Sequence, residues 1–245
     1  MTAEKLIQAS RTLTQQLSTL RFPEPVAYTY LPTDYARTPH EEYLSKFAST
    51  TKEVLFLGMN PGPYGMAQTG IPFGEIDHVK NWMGICTAVD KPENEHPKRP
   101  IDGFDCQKSE VSGKRLWGYF KDTFGTAEQF FDNHFVVNYC PLVWMTETGA
   151  NITPDKLTKD VMKPVQEACD AHLITLIETL SPNYLIGVGA YAEKKLQQAA
   201  KQMANSSSYQ IHKILHPSPA SPLANRGWAE QAAKQLQEIG INLPD

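Results

Sequence analysis

The sequence predicts an α/β protein with three layers, in which a central, mostly parallel four-stranded sheet is flanked by helices. Short apolar or β-branched runs alternate with longer stretches of helical periodicity, which is typical of a parallel sheet covered on both faces. Three of these runs also end in a polar residue with a proline close behind, as where a buried strand gives way to a loop. The chain shows no repeat, linker or break in composition, so we expect one domain over residues 1–245.

Composition is that of a globular protein, with 41% hydrophobic and 20% charged residues in a chain long enough to bury a full core. No apolar run approaches a membrane span and no signal peptide opens the sequence, so we expect no membrane partner. An intracellular location is expected, cytoplasmic in a bacterium or nuclear in a eukaryote. The net charge of −4 argues against tight non-specific DNA binding, although a local basic patch would suffice for a few phosphates.

The cysteines are scattered and form no C-x-x-C pair, whereas zinc and iron–sulfur sites usually bring two ligands close in sequence. We therefore expect reduced thiols, no metal site and no cofactor. The cysteines are Cys86, Cys106, Cys140 and Cys169.

The first part of the chain leads to the first strand of the sheet. Leucine spacing predicts an amphipathic helix over residues 1–20. The stretch 21–38, rich in proline and tyrosine, is expected to run extended over the surface, and residues 41–49 to add a short helix. The apolar run Val54–Leu57 predicts the strand, and residues 76–89 again show a helical pattern.

A polar loop with several prolines follows over residues 91–106 and carries His96, Lys98 and Arg99. It is either a solvated connection or a loop that faces DNA. The sequence alone leaves both interpretations open.

The next helix is predicted to begin at Ser112, a credible N-cap. Lys114 and Arg115 lie in its first turn, where positive charge opposes the helix dipole. That placement is understandable if a DNA phosphate binds to this helix end, and a solvated helix face is the alternative.

The second half of the chain alternates strands and helices. Its lone G-x-G, Gly187 and Gly189, is too weak a signal to indicate a nucleotide-binding fingerprint. The predicted elements are a strand at 134–138, a helix at 158–180, a strand at 184–189, a helix at 191–204, a loop at 205–208, a strand at 211–215 and a helix that begins near Leu223.

Three strand ends carry Asn60, Asn138 and His216, each followed by a proline. The carboxyl ends of parallel strands meet at one sheet edge, so we expect these side chains to converge. An amide can hold a water or read a donor–acceptor edge, and an imidazole can donate to an oxygen that becomes negative. Phe73 offers a face for a planar ring. This set suits hydrolysis of a base from a sugar.

Longer motifs make the sequence recognisable. GMNPGPYGMAQTGIPFGE, HPKRP, SEVSGKRLWGYF, NYCPL and HPSP followed by ANRGW closely resemble the single-strand-selective monofunctional uracil-DNA glycosylases, in order from before Asn60 to Trp228. The resemblance implies the uracil-DNA glycosylase fold, with a parallel sheet between helices, one domain and no metal. It also implies base excision from DNA without strand cleavage.

The resemblance assigns roles to single residues. Asn60 would position the hydrolytic water and His216 would stabilise the oxyanion on uracil O2. Asn138 would read O4 and N3–H, and Phe73 would stack on the flipped base. Two further substrate-binding residues, Gly62 and Met66, would line the C5 side, where the family leaves room for water or a 5-hydroxymethyl group.

The resemblance further implies contacts with uracil-containing DNA, single- or double-stranded, by a monomer. Residues 217–225 resemble the wedge that enters the duplex as the nucleotide leaves it. The family's mammalian members carry arginine where this chain has Ala220, which puts the grip on duplex DNA in doubt. The expected DNA-binding residues are Ser112, Lys114, Arg115, Pro217, Ser218, Leu223 and Arg226.

Structural roles and other functions are the alternatives. Asn138 could be a core amide, His216 could cap a turn, and Phe73 and Trp228 could belong to the core. A non-catalytic base- or nucleotide-binding module would use the same pocket without turnover. A nucleosidase usually relies on carboxylates around ribose or on a bound cation, and no carboxylate accompanies Asn60 in its motif.

Overall fold

The computed structural model describes residues 2–204, 208–241 and 243–244. Most of the loop predicted at 205–208 lies outside these residues. The strands are β1 (Tyr28–Tyr30), β2 (Val54–Gly58), β3 (His134–Asn138), β4 (Val143–Met145), β5 (Asn151–Ile152), β6 (Tyr184–Val188) and β7 (Gln210–Ile214). The α-helices are α1 (Thr2–Ser18), α2 (Pro32–Tyr35), α3 (Arg37–Phe47), α4 (Met66–Thr69), α5 (Val111–Phe124), α6 (Ala127–Asn133), α7 (Lys159–Leu180), α8 (Ala190–Ala200) and α9 (Trp228–Ile239).

The main sheet has four parallel strands in the order β3-β2-β6-β7, which confirms the predicted architecture. The central strand β2 is fully buried, as expected of an apolar run in a parallel sheet. Its register pairs Gly58 with Asn138, so these two residues lie side by side at the carboxyl edge.

Helices cover both faces of this sheet. On one face Phe56 of β2 packs against Phe120 of α5 and Phe130 of α6, with ring centroids 5.2 and 6.4 Å apart. Elsewhere α8 packs on β6 and β7, and α7 packs on α1 and α8. Among the described residues no helix combines the length and the apolarity that a membrane span requires.

The prediction for residues 21–38 was wrong. Residues Tyr28–Tyr30 form β1, which pairs with β4 in a second, antiparallel sheet of three short strands, β1-β4-β5. Tyr30 and Tyr35 are buried rather than laid over the surface. Proline punctuates the segment, but burying these aromatic rings decides where it lies, because each ring removes a large apolar area from water.

Two predicted helices also differ. Within residues 76–89 only one wide helical turn forms, at His78–Trp82, and Gly84 then takes a positive φ of 66°. The last helix begins at Trp228 instead of near Leu223, because Gly227, with φ of 133°, separates it from a 3₁₀ turn at Ala224–Arg226.

Candidate active site

A pocket of about 390 Å³ opens beyond the carboxyl ends of the parallel strands, which is where ligands bind in open α/β sheets. Its size is that of a small-molecule site. All six residues expected to be catalytic or to bind the substrate line this pocket. They are Asn60, Gly62, Met66, Phe73, Asn138 and His216.

Asn60 is held with its donor turned to the protein. Its Nδ2 donates to the backbone oxygen of Leu142 at 3.2 Å and, more weakly, to that of Pro61 at 3.4 Å. The side-chain oxygen Oδ1 accepts no hydrogen bond from the described residues. An amide fixed in this way leaves its acceptor free for a water.

Asn138 stands at the pocket floor against the backbone of Gly58. Its Nδ2 lies 3.4 Å from Met66 Sδ, a weak acceptor that a better one could replace. A methyl group on Gly58 would collide with Asn138 Oδ1 and would lie 2.6 Å from Phe73 Cε2. Gly58 is therefore required for the close approach of the amide and the ring.

Phe73 adopts a left-handed backbone conformation, with φ of 52°, which is uncommon for a bulky residue. The surroundings enforce it. Trp117 Nε1 donates to Pro72 O at 3.2 Å, and the Phe73 carbonyl lies against Cα of Gly113, where a side chain would collide with it. Such strain at a pocket wall is typical of a functional site.

His216 follows β7 and faces Phe73, with ring centroids 6.1 Å apart. It lies against Gly189, whose positive φ of 93° disfavours any side chain and where an added methyl group would lie 3.2 Å from His216 Cβ. The second glycine of the lone G-x-G therefore lets the imidazole pack closely on the backbone. Burial lowers the pKa of His216 to about 4. The ring is neutral near pH 7 and keeps one N–H to donate.

This burial predicts a loss of stability in mild acid. Burial lowers the pKa of His134, His172 and His216 to about 4 each, below their ordinary 6.5. Between these values the unfolded chain binds more protons, so the free energy of unfolding falls as pH drops from 6.5 towards 4. Each histidine contributes up to about 1.4 kcal/mol per pH unit.

Urea unfolding at about pH 7 and about pH 5 measures this loss. In His216→Gln the difference between the two pH values should be smaller, because one of the three histidines no longer titrates. Equal stability at both pH values in the wild type would contradict the prediction.

Sequence reasoning missed three polar residues of the pocket, Glu110, Asn151 and Thr153. Asn151 lies in β5 of the antiparallel sheet that was not predicted, and Thr153 directly follows that strand. Glu110 adds a carboxylate to the pocket, although none accompanies Asn60 in its sequence motif. Its oxygens accept from the backbone N–H groups of Ser112 at 3.2 Å and Gly113 at 2.7 Å. Burial raises the pKa of Glu110, although these two hydrogen bonds act to lower it.

Away from the pocket, the ligand atoms of Glu75, Asp77 and His78 lie within 4.8 Å of one another. Hydrogen bonds account for much of this grouping. Glu75 accepts from His78 Nδ1 at 2.6 Å and from Ser109 Oγ at 2.8 Å. In the part of the chain that the structure describes, none of these three side chains forms a hydrogen bond with Asn60 or His216.

Comparison with known proteins decides the family. A protein-family model described as "Uracil DNA glycosylase superfamily" matches residues 45–237. The single-strand selective monofunctional uracil-DNA glycosylase of Rattus norvegicus is 44% identical over 98% of this chain and 85% of its own length. The corresponding Bos taurus protein is 43% identical over 98% of this chain and 87% of its own length.

This chain belongs to the single-strand selective monofunctional uracil-DNA glycosylase family. Its fold also matches the crystal structure of wild-type Pedobacter heparinus SMUG2, with a TM-score of 0.68 over 98% of this chain and 99% of that one. The sequences there are only 17% identical, so this match bears on the fold alone.

Five of the seven residues expected to bind DNA fall into two groups. Ser112 and Ser218 line the pocket, whereas Lys114, Leu223 and Arg226 are exposed beyond it. Ser112 was predicted to be the N-cap of α5, but the N-cap is Glu110. The Glu110 carboxylate accepts from two free backbone N–H groups, whereas the hydroxyl of a serine would accept from one. Trp228 is buried and donates to Leu215 O, so it belongs to the core.

Arg115 is occupied by the protein itself. Its Nη1 donates to the carbonyls of Pro217 at 3.1 Å and Ser218 at 3.3 Å, and its Nη2 donates to Asn225 Oδ1 at 2.8 Å. Asn225 in turn donates to Pro219 O at 2.9 Å. Arg115 thus holds both ends of the segment 217–225, and its predicted contact with a DNA phosphate stays a prediction. Pro217 is likewise buried.

Arg115→Met is therefore expected to loosen this segment more than to weaken phosphate binding. We expect the excision rate on matched U·A duplex to fall by about tenfold, the equivalent of one charge-assisted hydrogen bond, with a smaller loss on single strands. Single-turnover rates on both substrates measure it. Lys121→Met, on the same helix, exposed and outside the expected DNA-binding residues, is the matched control. Equal losses on both substrates would contradict a positioning role.

Proposed function

We propose that this protein is a monofunctional uracil-DNA glycosylase of base excision repair. It hydrolyses the N-glycosidic bond of uracil in DNA and leaves an abasic site. The observation that carries the proposal is the meeting of Asn60, Asn138, His216 and Phe73 in one pocket at the strand ends of a chain that belongs to this family.

In the proposed mechanism the uracil nucleotide flips out of its strand and its ring stacks on Phe73. Asn138 recognises the O4 and N3–H edge, since an amide can both donate and accept. The C1′–N1 bond breaks as the sugar gains oxocarbenium character, and its electron pair leaves on the base. The neutral His216 donates to O2, where that charge collects.

The water bound by Asn60 Oδ1 supplies the new C1′–O bond. It loses a proton in doing so, and the departing uracil anion takes one up, so charge balances. Asn60 acts here as a positioning acceptor rather than as a base, because an amide cannot be protonated near neutral pH. No covalent bond between protein and DNA forms, which is what makes the enzyme monofunctional.

The C5 side of the pocket is the basis for a wider substrate range. A methyl group on Gly62 would meet no heavy atom within 4 Å, so space remains beside this residue. Met66, opposite the amide of Asn138, has a flexible side chain that adapts to shape. We therefore include uracils with small 5-substituents, such as 5-hydroxymethyluracil, among the substrates.

DNA binding is proposed to combine the pocket rim with a wedge at residues 217–225. Leu223 is 57% exposed, which is unusual for a leucine and fits a side chain that enters a gap between bases. Ala220 offers neither length nor charge. Single strands and U·G mismatches should therefore be cut faster than matched U·A duplex, because an unpaired base costs less to flip.

Ala220→Arg is accordingly expected to raise the excision rate on U·A duplex by up to about tenfold, since added charge and length offset part of the flipping cost. The rate on single strands should change less. Single-turnover assays of both proteins on U·A, U·G and single-stranded uracil test this. If the wild type cuts U·A as fast as single strand and the substitution changes neither rate, Ala220 is not in the wedge.

A single-stranded oligonucleotide with one uracil tests the proposed function. After incubation in excess chelator we expect a break at the uracil only when the product is heated in alkali, and no protein–DNA adduct after borohydride reduction. Binding without any break would favour the alternative, a base- or nucleotide-binding module. A trapped adduct would show that the enzyme is not monofunctional.

Other expectations stay predictions. They are the single domain over residues 1–245, the monomeric state and an intracellular location. The main hydrophobic core, which extends from Leu6 to Ile241 along the chain, supports the first of these.

A further inference from the structure

Two cations share one aromatic ring beside the pocket. Lys108 Nζ lies 4.9 Å from the ring centroid of Tyr64 and the guanidinium carbon of Arg99 lies 5.7 Å from it. Lys108 also donates to the Tyr64 hydroxyl at 3.3 Å. We call Tyr64, Arg99 and Lys108 the rim cluster.

The rim cluster is held from below by hydrogen bonds. The fully buried Gln68 donates to the carbonyls of Pro63 and Pro100, both at 3.0 Å, and accepts from the backbone N–H groups of Asp102 and Gly103. This amide ties the loop that bears Tyr64 to the loop that bears Arg99.

Tyr30 fixes the backbone of the second loop. It accepts from His96 N at 2.7 Å and donates to Arg99 O at 2.8 Å. His96, which the sequence placed on a solvated or DNA-facing loop, is itself buried and contacts Glu147 O at 3.0 Å. The backbone beneath Arg99 is therefore fixed, although its side chain is not paired with a carboxylate.

The charges of the rim cluster are uncompensated. Within residues 2–204, 208–241 and 243–244, neither Arg99 nor Lys108 forms an ion pair with a carboxylate, whereas Lys91 on the same loop pairs with Glu95 at 3.1 Å. Arg99 Nε is also buried without a hydrogen-bond partner. Like charges around one ring repel each other, and an unsatisfied buried donor is costly. An anion bound by these two cations would offset their repulsion.

The position of the rim cluster indicates which anion. Tyr64 is two residues after Gly62, which lines the pocket, and Lys108 is two residues before Glu110, which lines it too. The loops that bear the rim cluster therefore adjoin the pocket lining, and a strand whose base occupies the pocket carries a phosphate on each side of that base. We propose that Arg99 and Lys108 bind backbone phosphates of single-stranded DNA next to the flipped nucleotide. The proposal rests on the proposed function.

Binding of a fluorescent single-stranded oligonucleotide without uracil tests the rim cluster independently of catalysis. Each phosphate contact on a single strand contributes about 0.7 to the slope of log affinity against log salt. Arg99→Met and Lys108→Met should each make this slope shallower by about 0.7. If the variants and the wild type bind equally at about 1 M salt, that change corresponds to about eightfold weaker binding near 50 mM salt.

Controls separate charge from folding. Arg99→Lys keeps the charge and should keep a slope close to that of the wild type, and Lys91→Met removes a paired cation from the same loop and should not change it. Slopes of Arg99→Met and Lys108→Met equal to that of the wild type would overturn the proposal while uracil excision stands. Loss of slope in Lys91→Met to the same extent would also overturn it, because the effect would then be general charge.

Discussion

Asn60→Ala is expected to lower the single-turnover rate of uracil excision by about 10²–10³-fold, the usual cost of removing one preorganised polar group from an active site. Affinity for DNA that carries the abasic product should change little. The reason lies in the geometry: Asn60 lines the pocket, its Nδ2 donates to Leu142 O, and its Oδ1 accepts no hydrogen bond from the described residues. A group that holds the attacking water acts on the transition state more than on the bound ground state.

Asn138→Ala provides the contrast, because it removes a group that contacts the base itself. In that variant both the rate and the affinity for uracil-containing DNA should fall. If Asn60→Ala loses affinity and rate in equal measure, or if its melting temperature drops sharply, Asn60 supports the fold and does not hold the water.

Gly58→Ala should be nearly as damaging, although Gly58 has no side chain that could react. The added methyl group would collide with Asn138 Oδ1 and come within 2.6 Å of Phe73 Cε2. Strand β2 lies between β3 and β6 and cannot move aside. The Asn138 amide and the Phe73 ring must therefore shift. A shift of about 1 Å in such groups can cost about 10²-fold in rate.

Gly118→Ala is the matched control for this substitution. Gly118 lies in α5, where a methyl group would come no nearer than 3.7 Å to His78 Nε2, an ordinary contact. It should keep the excision rate and gain up to about 1 kcal/mol of stability from helix propensity. A wild-type rate in Gly58→Ala would show that the floor of the pocket is looser than its packing indicates.

The parallel sheet could be predicted from sequence because three of its four strands, β2, β3 and β6, are almost entirely buried. Runs such as Val54–Leu57 and Tyr184–Val188 are then apolar throughout and stand out from helical periodicity. Strands of two or three residues, such as Asn151–Ile152, are too short to show a period. Their pairing depends on partners far along the chain, as Tyr28–Tyr30 depends on Val143–Met145.

The candidate site shows the same division. Asn60, Asn138 and His216 could be found because strand ends of a parallel sheet share one edge. The structural roles of Arg115 and Gly189 could not be predicted, because each depends on a partner distant in sequence. Arg115 contacts carbonyls more than a hundred residues away, and Gly189 makes room for His216. Local sequence suggested a phosphate ligand for the first and a weak nucleotide motif for the second.

The central claim is that one pocket reads uracil and holds the water that replaces it. A crystal structure of the wild-type protein with a single strand that carries 2′-fluoro-2′-deoxyuridine, whose glycosidic bond resists cleavage, tests it most directly. The account predicts the base on Phe73, O4 and N3–H at Asn138, O2 at His216 and a water between Asn60 Oδ1 and C1′. A base bound outside this pocket, or an Asn60 oxygen without a water facing C1′, would contradict it.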